Sequence, residues 1–398
     1  MKNNRYSNKA QYINNIEVED YRGNPFIEAL PRIYSEDEVL NLVNEYPDYD
    51  ETERLLPLEV RLQCVDKIYQ CFQTLSFHLD IEYKIARIIR EGYLHRNPIK
   101  PEFTKYLNLG YEAILSKDID IYNVNKIRRN TAYGFSIIGT SGMGKSSTVN
   151  KILSLYPQVI EHTKYNDIEL NLHQITWLKL DCPFDGSIKG LCSNFFFEID
   201  NLLGTKYHER YGGHRSSTNQ MMPIIAQIAQ NHGLGILVID EIQHLSVAKS
   251  GGIEKMLNFF VTLINMIGIP VILIGTPKAK VFLQREFRQA RRSSGQGSID
   301  IKWLEKGDDW DMLLETIFNY QWTNKKFELT QELSDILYDK SLGIIDVAIK
   351  LYTAAQSKAI RNEEDVITKS LIESVYDEEY SLLKETLEKA KKEIKKKE

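Results

Sequence analysis

The chain has 398 residues, 42% of them hydrophobic and 26% charged, enough for two or three domains and a sizeable core. A formal net charge of −5 gives no global reason to expect nucleic-acid binding, although a local basic patch acts through its own field. The cysteines Cys64, Cys71, Cys182 and Cys192 show neither CxxC spacing nor nearby paired histidines, which argues against a zinc site and for a reducing compartment.

The opening residues, MKNNRYSNKA, lack the apolar run of a signal peptide, and residues 1–20 are polar and read as a flexible N-terminus. No run of about 18 apolar residues offers a membrane span, so a cytoplasmic protein is expected. Residues 21–130 follow helical periodicity and form an expected helical N-terminal domain. Within it, Ser35 to Glu38 has the pattern of a capping box ahead of an apolar run from Val39.

From about Thr131 short β-rich runs alternate with helical stretches: FSIIG (135–139), ITWLKL (175–180), GILVID (235–240) and VILIG (271–275). Continuous apolar runs of this kind suit strands buried on both faces of a parallel sheet. Met256, Phe259, Phe260, Leu263, Ile264 and Ile267 form a helical stripe between the last two runs. An α/β core over 131–310 is therefore expected. Segments Glu328–Lys340, Ile344–Ile360 and Val366–Tyr376 read as helices of a C-terminal lid, 311–380, with Gly343 as a break. The remainder, 381–398, is expected to be a basic helical tail whose Lys-rich end reads as solvated or frayed, or else as a nucleic-acid or partner contact.

Gly139-Thr140-Ser141-Gly142-Met143-Gly144-Lys145-Ser146 fits G-x-x-x-x-G-K-[ST] between a strand and a helix. Backbone N–H groups of such a loop and the following helix N-terminus suit phosphates. Lys145 would reach the β- and γ-phosphates of ATP, Ser146 would ligate Mg²⁺, and Ser147 continues the loop. Asp240 and Glu241 end an apolar strand; Asp240 would complete the Mg²⁺ shell and Glu241 would polarise the attacking water. Thr276, at the end of VILIG, would touch the γ-phosphate or that water, or else form a plain turn. Arg288, Arg291 and Arg292 are candidates for one arginine finger acting on a neighbouring subunit, against a solvated or DNA-contacting basic helix face. The stretch 184–222 is longer than a crossover needs. Its Lys189, Lys206, Tyr207, Arg210 and Arg215 could contact DNA phosphates, or line a solvated loop.

GFSIIGTSGMGKSS, GILVIDEIQHLS, VILIGTPKA, FRQARR and SLGIIDVAIKLYTAAQSKAI together resemble TnsC, the AAA+ regulator of heteromeric targeted transposons, and its shorter relative TniB. NPFIEALPRIYSEDEVL and IIREGYLHRNP extend the resemblance over roughly residues 20–380. DEIQHL, IIREGY–RNP and GIIDVAIKL are its more specific parts. It implies an AAA+ P-loop ATPase that assembles with ATP on double-stranded DNA as a homo-oligomeric ring or helical filament. Such a protein bridges a TnsD/TniQ-like target selector to TnsA/TnsB-like transposase subunits. By the same resemblance, 184–222 corresponds to a DNA-tracking insertion. Two departures stand out. The sensor-2 arginine expected after the lid glycine is replaced by Asp346, with Lys350 the nearest cation, and the chain ends soon after the lid, as a short member or a piece of a longer one would. An ATP-loaded scaffold with incidental hydrolysis, or an initiator- or clamp-loader-like ATPase, are the alternatives.

Overall fold

The computed structural model describes residues 7–14, 16–101, 103, 134–213, 217–247, 268–280 and 297–380. The chain divides into two compact units. One comprises 1–34, 81–138 and 146–300, and the other 35–80, 139–145 and 301–398.

The first unit is built on a five-stranded sheet. In chain order the strands are β1 (Ser7–Lys9), β2 (Phe135–Gly139), β3 (Val159–Tyr165), β4 (Ile168–Ile175), β5 (Trp177–Asp181), β6 (Ile236–Asp240), β7 (Val271–Gly275) and β8 (Ser298–Ile301). The main sheet runs β5-β6-β7-β2-β8, with β2–β7, β5–β6 and β6–β7 parallel. Every residue of β2, β6 and β7 is buried, as the unbroken apolar runs require. One face carries a core of Phe195, Phe196, Ile199, Met221, Ile225 and Ile228 from the helices Ile188–Leu203 and Thr218–Asn231, packed on Leu178, Leu237 and Leu273. This is an α/β fold in which helices pack on a sheet of parallel strands, with a G-x-x-x-x-G-K-S loop leaving β2. The Met256–Ile267 stripe lies outside the described residues.

Two features differ from the sequence expectation. Where one strand was expected over 175–180, the backbone separates at Thr176: Ile175 ends β4 and Trp177 begins β5. Three strands, not one, therefore lie between the phosphate loop and β6. Strands β3 and β4 form an antiparallel hairpin outside the main sheet, turned by Asn166 and Asp167 in left-handed conformations of φ 43° and 68°. Asn and Asp tolerate that region better than other side-chain residues. Within the polar start, residues 7–9 pair in parallel with β3, and the Tyr12 hydroxyl bonds His162 Nδ1 at 2.8 Å.

The helix Ser76–Tyr93 ends in a buried anchor. Tyr93 Oη donates to Gly233 O at 2.6 Å. Arg96 donates to Gly92 O and Leu234 O, each at 2.6 Å. Asn24 Nδ2 donates to Tyr93 O, and Asn97 Nδ2 to Gly23 O. Tyr93 and Arg96 thus supply donors to the carbonyls of Gly233 and Leu234, just ahead of β6.

In the second unit Ser35 and Glu38 form the expected capping box on the helix Glu36–Val43. Tyr49 donates to Gln321 O and Arg61 to Trp322 O, while Trp322 Nε1 donates to Glu53 at 2.7 Å. The helices Gln331–Ser341, Ile345–Arg361 and Lys369–Glu379 follow the three expected segments. The break between the first two is made by Leu342 and Gly343, at φ 55° and 70°. No described helix is long and apolar enough to cross a membrane.

Candidate nucleotide-binding site

The phosphate loop follows β2 and opens the helix Lys145–Ser154. Gly142 and Gly144 take φ of 86° and 71°, a region that glycine enters without steric cost. Thr140 N donates to Ile301 O at 3.0 Å, and Gly142 O accepts from Asp346 N at 2.9 Å. A Cβ on Gly139 would run into the Ile301 main chain, so that position requires glycine. Met143 is fully buried and pins the loop from below. The Lys145 ammonium lies on the loop's own carbonyls, 2.9 Å from Gly139 O and 2.8 Å from Thr140 O. Ser141 and Ser147 are exposed and Ser146 is half-buried. Positive-φ glycines, an ammonium and a helix N-terminus in one loop are suited to phosphate oxygens.

Because β2, β6 and β7 are parallel, their C-terminal ends share one edge of the sheet. Ile138 pairs with Gly275 there, and Asp181 pairs with Asp240. Asp240 is buried, with Oδ1 accepting from Glu241 N at 2.8 Å and Oδ2 3.0 Å from Lys179 Nζ. Glu241 sits at φ 57°, which costs a side-chain residue on the order of 1 kcal/mol and turns its exposed carboxylate away from the strand direction. Gln243 bridges: its Nε2 donates to Glu241 Oε2, and its Oε1 accepts from Thr276 N at 3.1 Å. Thr276 Oγ1 is buried and has no hydrogen-bond partner among the described residues. An orphaned hydroxyl beside two acids is a ready donor or acceptor for a bound group. The residues present therefore fit a Mg²⁺–nucleotide.

Lys179 and Gln243 were not singled out from sequence. Alternation along β5 puts Lys179 and Asp181 on one face, but only the pairing of β5 with β6 brings that face beside Asp240.

The proposed DNA contacts fall on and around two helices. Lys189 is half-buried in the first turn of Ile188–Leu203. Lys206 precedes the short helix Tyr207–Tyr211 and pairs with Glu209 at 3.6 Å. Arg210 is exposed, whereas the Tyr207 hydroxyl is shared with His232 Nε2 at 3.0 Å. Asp200 accepts from Tyr207 N and His208 N, fixing that helix's start. Arg215, Arg288, Arg291, Arg292 and the tail 381–398 lie outside the described residues. No cluster of His, Cys, Asp or Glu among the described residues has the makings of a separate metal site.

No curated protein matches the chain in sequence. Among solved structures it is similar to the ORC2 protein of Aeropyrum pernix, at 12% identity over 69% of this chain and 66% of that one, with a TM-score of 0.41. It is similar to CDC6P of Pyrobaculum aerophilum, at 14% identity over 70% of this chain and 67% of that one, TM-score 0.44. A third is the Thermotoga maritima RuvB Holliday junction branch migration motor, at 12% identity, 69% and 67% coverage, TM-score 0.36. The chain spans a little under two thirds of the ORC2 chain. Residues 128–283 match the family described as "AAA domain", the stretch that carries the phosphate loop and the acid-tipped strand β6.

Proposed function

We propose that the protein is a cytoplasmic AAA+ ATPase that assembles with ATP and Mg²⁺ on double-stranded DNA and links target-site selection to transposase activation. The observation that carries the enzymatic half is the hydrogen-bonded link from Asp240 through Glu241 and Gln243 to Thr276, at the C-terminal ends of β6 and β7. The transposition half rests on the TnsC-like sequence text.

In this reading the loop N–H groups and Lys145 hold the β- and γ-phosphates, and the Ser146 hydroxyl and Asp240 hold the metal. Bound Mg²⁺ would neutralise charge on the phosphate oxygens. Glu241, set off the strand axis by its left-handed backbone, accepts a proton from water and orients it. Thr276 Oγ1 holds that water or a γ-oxygen. One of Arg288, Arg291 and Arg292 reaches a neighbouring subunit's phosphate. Lys189, Lys206, Tyr207, Arg210 and Arg215 follow the DNA backbone.

The test is electron microscopy with duplex DNA, with and without a non-hydrolysable ATP analogue, on the wild type, Lys145→Ala and Glu241→Gln. Rings or filaments on DNA are expected for wild type and Glu241→Gln with nucleotide, and none for Lys145→Ala. Nucleotide-independent assembly would overturn the switch. Glu241→Gln that leaves target choice and repeat insertion unchanged would make hydrolysis incidental.

A further inference from the structure

The edge of the sheet holds a charge arrangement that the ATPase roles above leave unused. Lys179 on β5 pairs in register with Val238, and Asp181 with Asp240. Side chains alternate along a strand, so Lys179, Asp181 and Asp240 all stand on one face. Two carboxylates directly opposite on neighbouring strands repel. Lys179 lies one diagonal step from Asp240 and meets it at 3.0 Å, with side-chain exposures of 18% and 5%. The other Asp240 oxygen takes the Glu241 N–H. Both oxygens of this buried acid thus have donors from the chain itself, and one of the donors carries a full positive charge.

Resting on the nucleotide-site reading above, we propose that Lys179 is the internal counter-ion of Asp240 and sets the Mg²⁺ requirement of the site. A buried carboxylate without a cation is costly, so Lys179 stabilises the chain before any metal arrives. A divalent ion drawn to Asp240 then meets an ammonium already there. The two cations repel, and the metal binds only when its concentration, or the phosphates it brings, outweighs that repulsion. Lys179 is a positioning residue: it acts on Asp240, and through it on the metal.

The experiment measures binding of a fluorescent ADP analogue against free Mg²⁺, together with thermal unfolding with and without Mg²⁺-ADP. Lys179→Met should shift the Mg²⁺ midpoint down by about tenfold. It should also lower the melting temperature without ligand and enlarge the rise that Mg²⁺-ADP produces, since the metal replaces the missing charge. Lys179→Gln should behave in the same direction and Lys179→Arg should stay near wild type. Neutral variants recovered folded only with Mg²⁺-ADP present also support the proposal. A midpoint that stays put or moves up overturns it, as do neutral variants that remain unfolded with saturating Mg²⁺-ADP. The two readings fail separately. If wild type shows no Mg²⁺-dependent binding and Lys145→Ala changes nothing, the nucleotide site itself is wrong. If wild type binds, Lys145→Ala does not, and Lys179→Met matches wild type, only the counter-ion role falls.

Discussion

The main-chain N–H of Asp346 donates to the carbonyl of Gly142 at 2.9 Å, so the lid helix Ile345–Arg361 begins on the phosphate loop. The bond is backbone to backbone and does not need an arginine at position 346. Lys350 is tied to Asp346 at 2.8 Å, which occupies the nearest cation. A Cβ at Gly142 would stand 3.0 Å from Ile344 Cγ2 and 3.1 Å from Asp346 Cβ, on a backbone at φ 86°. Gly142→Ala should therefore cost about 1–2 kcal/mol of stability. ADP affinity should fall with it. Urea unfolding and calorimetric titration check the two effects separately.

Lys145→Ala and Glu241→Gln should part binding from chemistry. The first removes the ammonium from the loop and should abolish ATP binding. The second keeps the shape and hydrogen-bonding partners of Glu241 while removing its basicity. Turnover should fall by about 10²–10⁴ with ATP affinity nearly unchanged, as read by steady-state phosphate release beside equilibrium binding.

Thr276→Val should trade stability against turnover. Its hydroxyl is buried without a partner among the described residues, and such a group costs roughly 1–3 kcal/mol. An isosteric methyl removes that cost, so the denaturation midpoint should rise by an amount worth about 1 kcal/mol. Phosphate release should drop about tenfold or more if the hydroxyl holds a reacting oxygen. Equal turnover in the valine variant would assign Thr276 to a turn.

Stability should fall as the medium is acidified below about pH 6.5. Burial pushes His162 and His232 down to about 4, so the folded chain keeps both neutral while the unfolded chain protonates them. The unfolded state then binds more protons between about pH 6.5 and 4, and stability is lost through that window. The slope approaches about 1.4 kcal/mol per pH unit for each histidine well below pH 6.5. Urea midpoints at pH 7 and pH 5 test it, and His162→Gln should flatten part of the dependence.

DNA binding through lysine and arginine contacts to phosphates should weaken steeply with salt and vary little with sequence. Replacing Lys206 or Arg210 with alanine should reduce the slope of log K against log salt by about one each. A shallow slope with strong sequence preference would point to base contacts instead.

Much of the site was legible because its chemistry lies in contiguous text. The loop 139–146 and the pair Asp240-Glu241 are local motifs, and the buried parallel strands that carry them read as unbroken apolar runs. The hairpin β3–β4 was not legible by that rule, because its polar positions alternate and it stands outside the main sheet; Asn166-Asp167 was the signal that marks its turn. IIREGY–RNP supported a resemblance but gave no physical role. Only the fold reveals Tyr93 and Arg96 as donors to carbonyls some 140 positions away. Lys179 was hidden for the same reason: its importance depends on which strand lies beside β5.

The pairing of β1 with β3 bears on how the chain is made. Tyr12 and His162 are separated by 150 positions, so a growing chain emerging from the ribosome carries its first strand unpartnered while everything up to the hairpin is synthesised. That strand can dock only once β3 has been made, after a wait of some 150 positions and ahead of β5 to β8. A bulky fusion ahead of β1 would thus weigh on that docking step, slowing the arrival of competent subunits while leaving the chemistry of those that finish untouched.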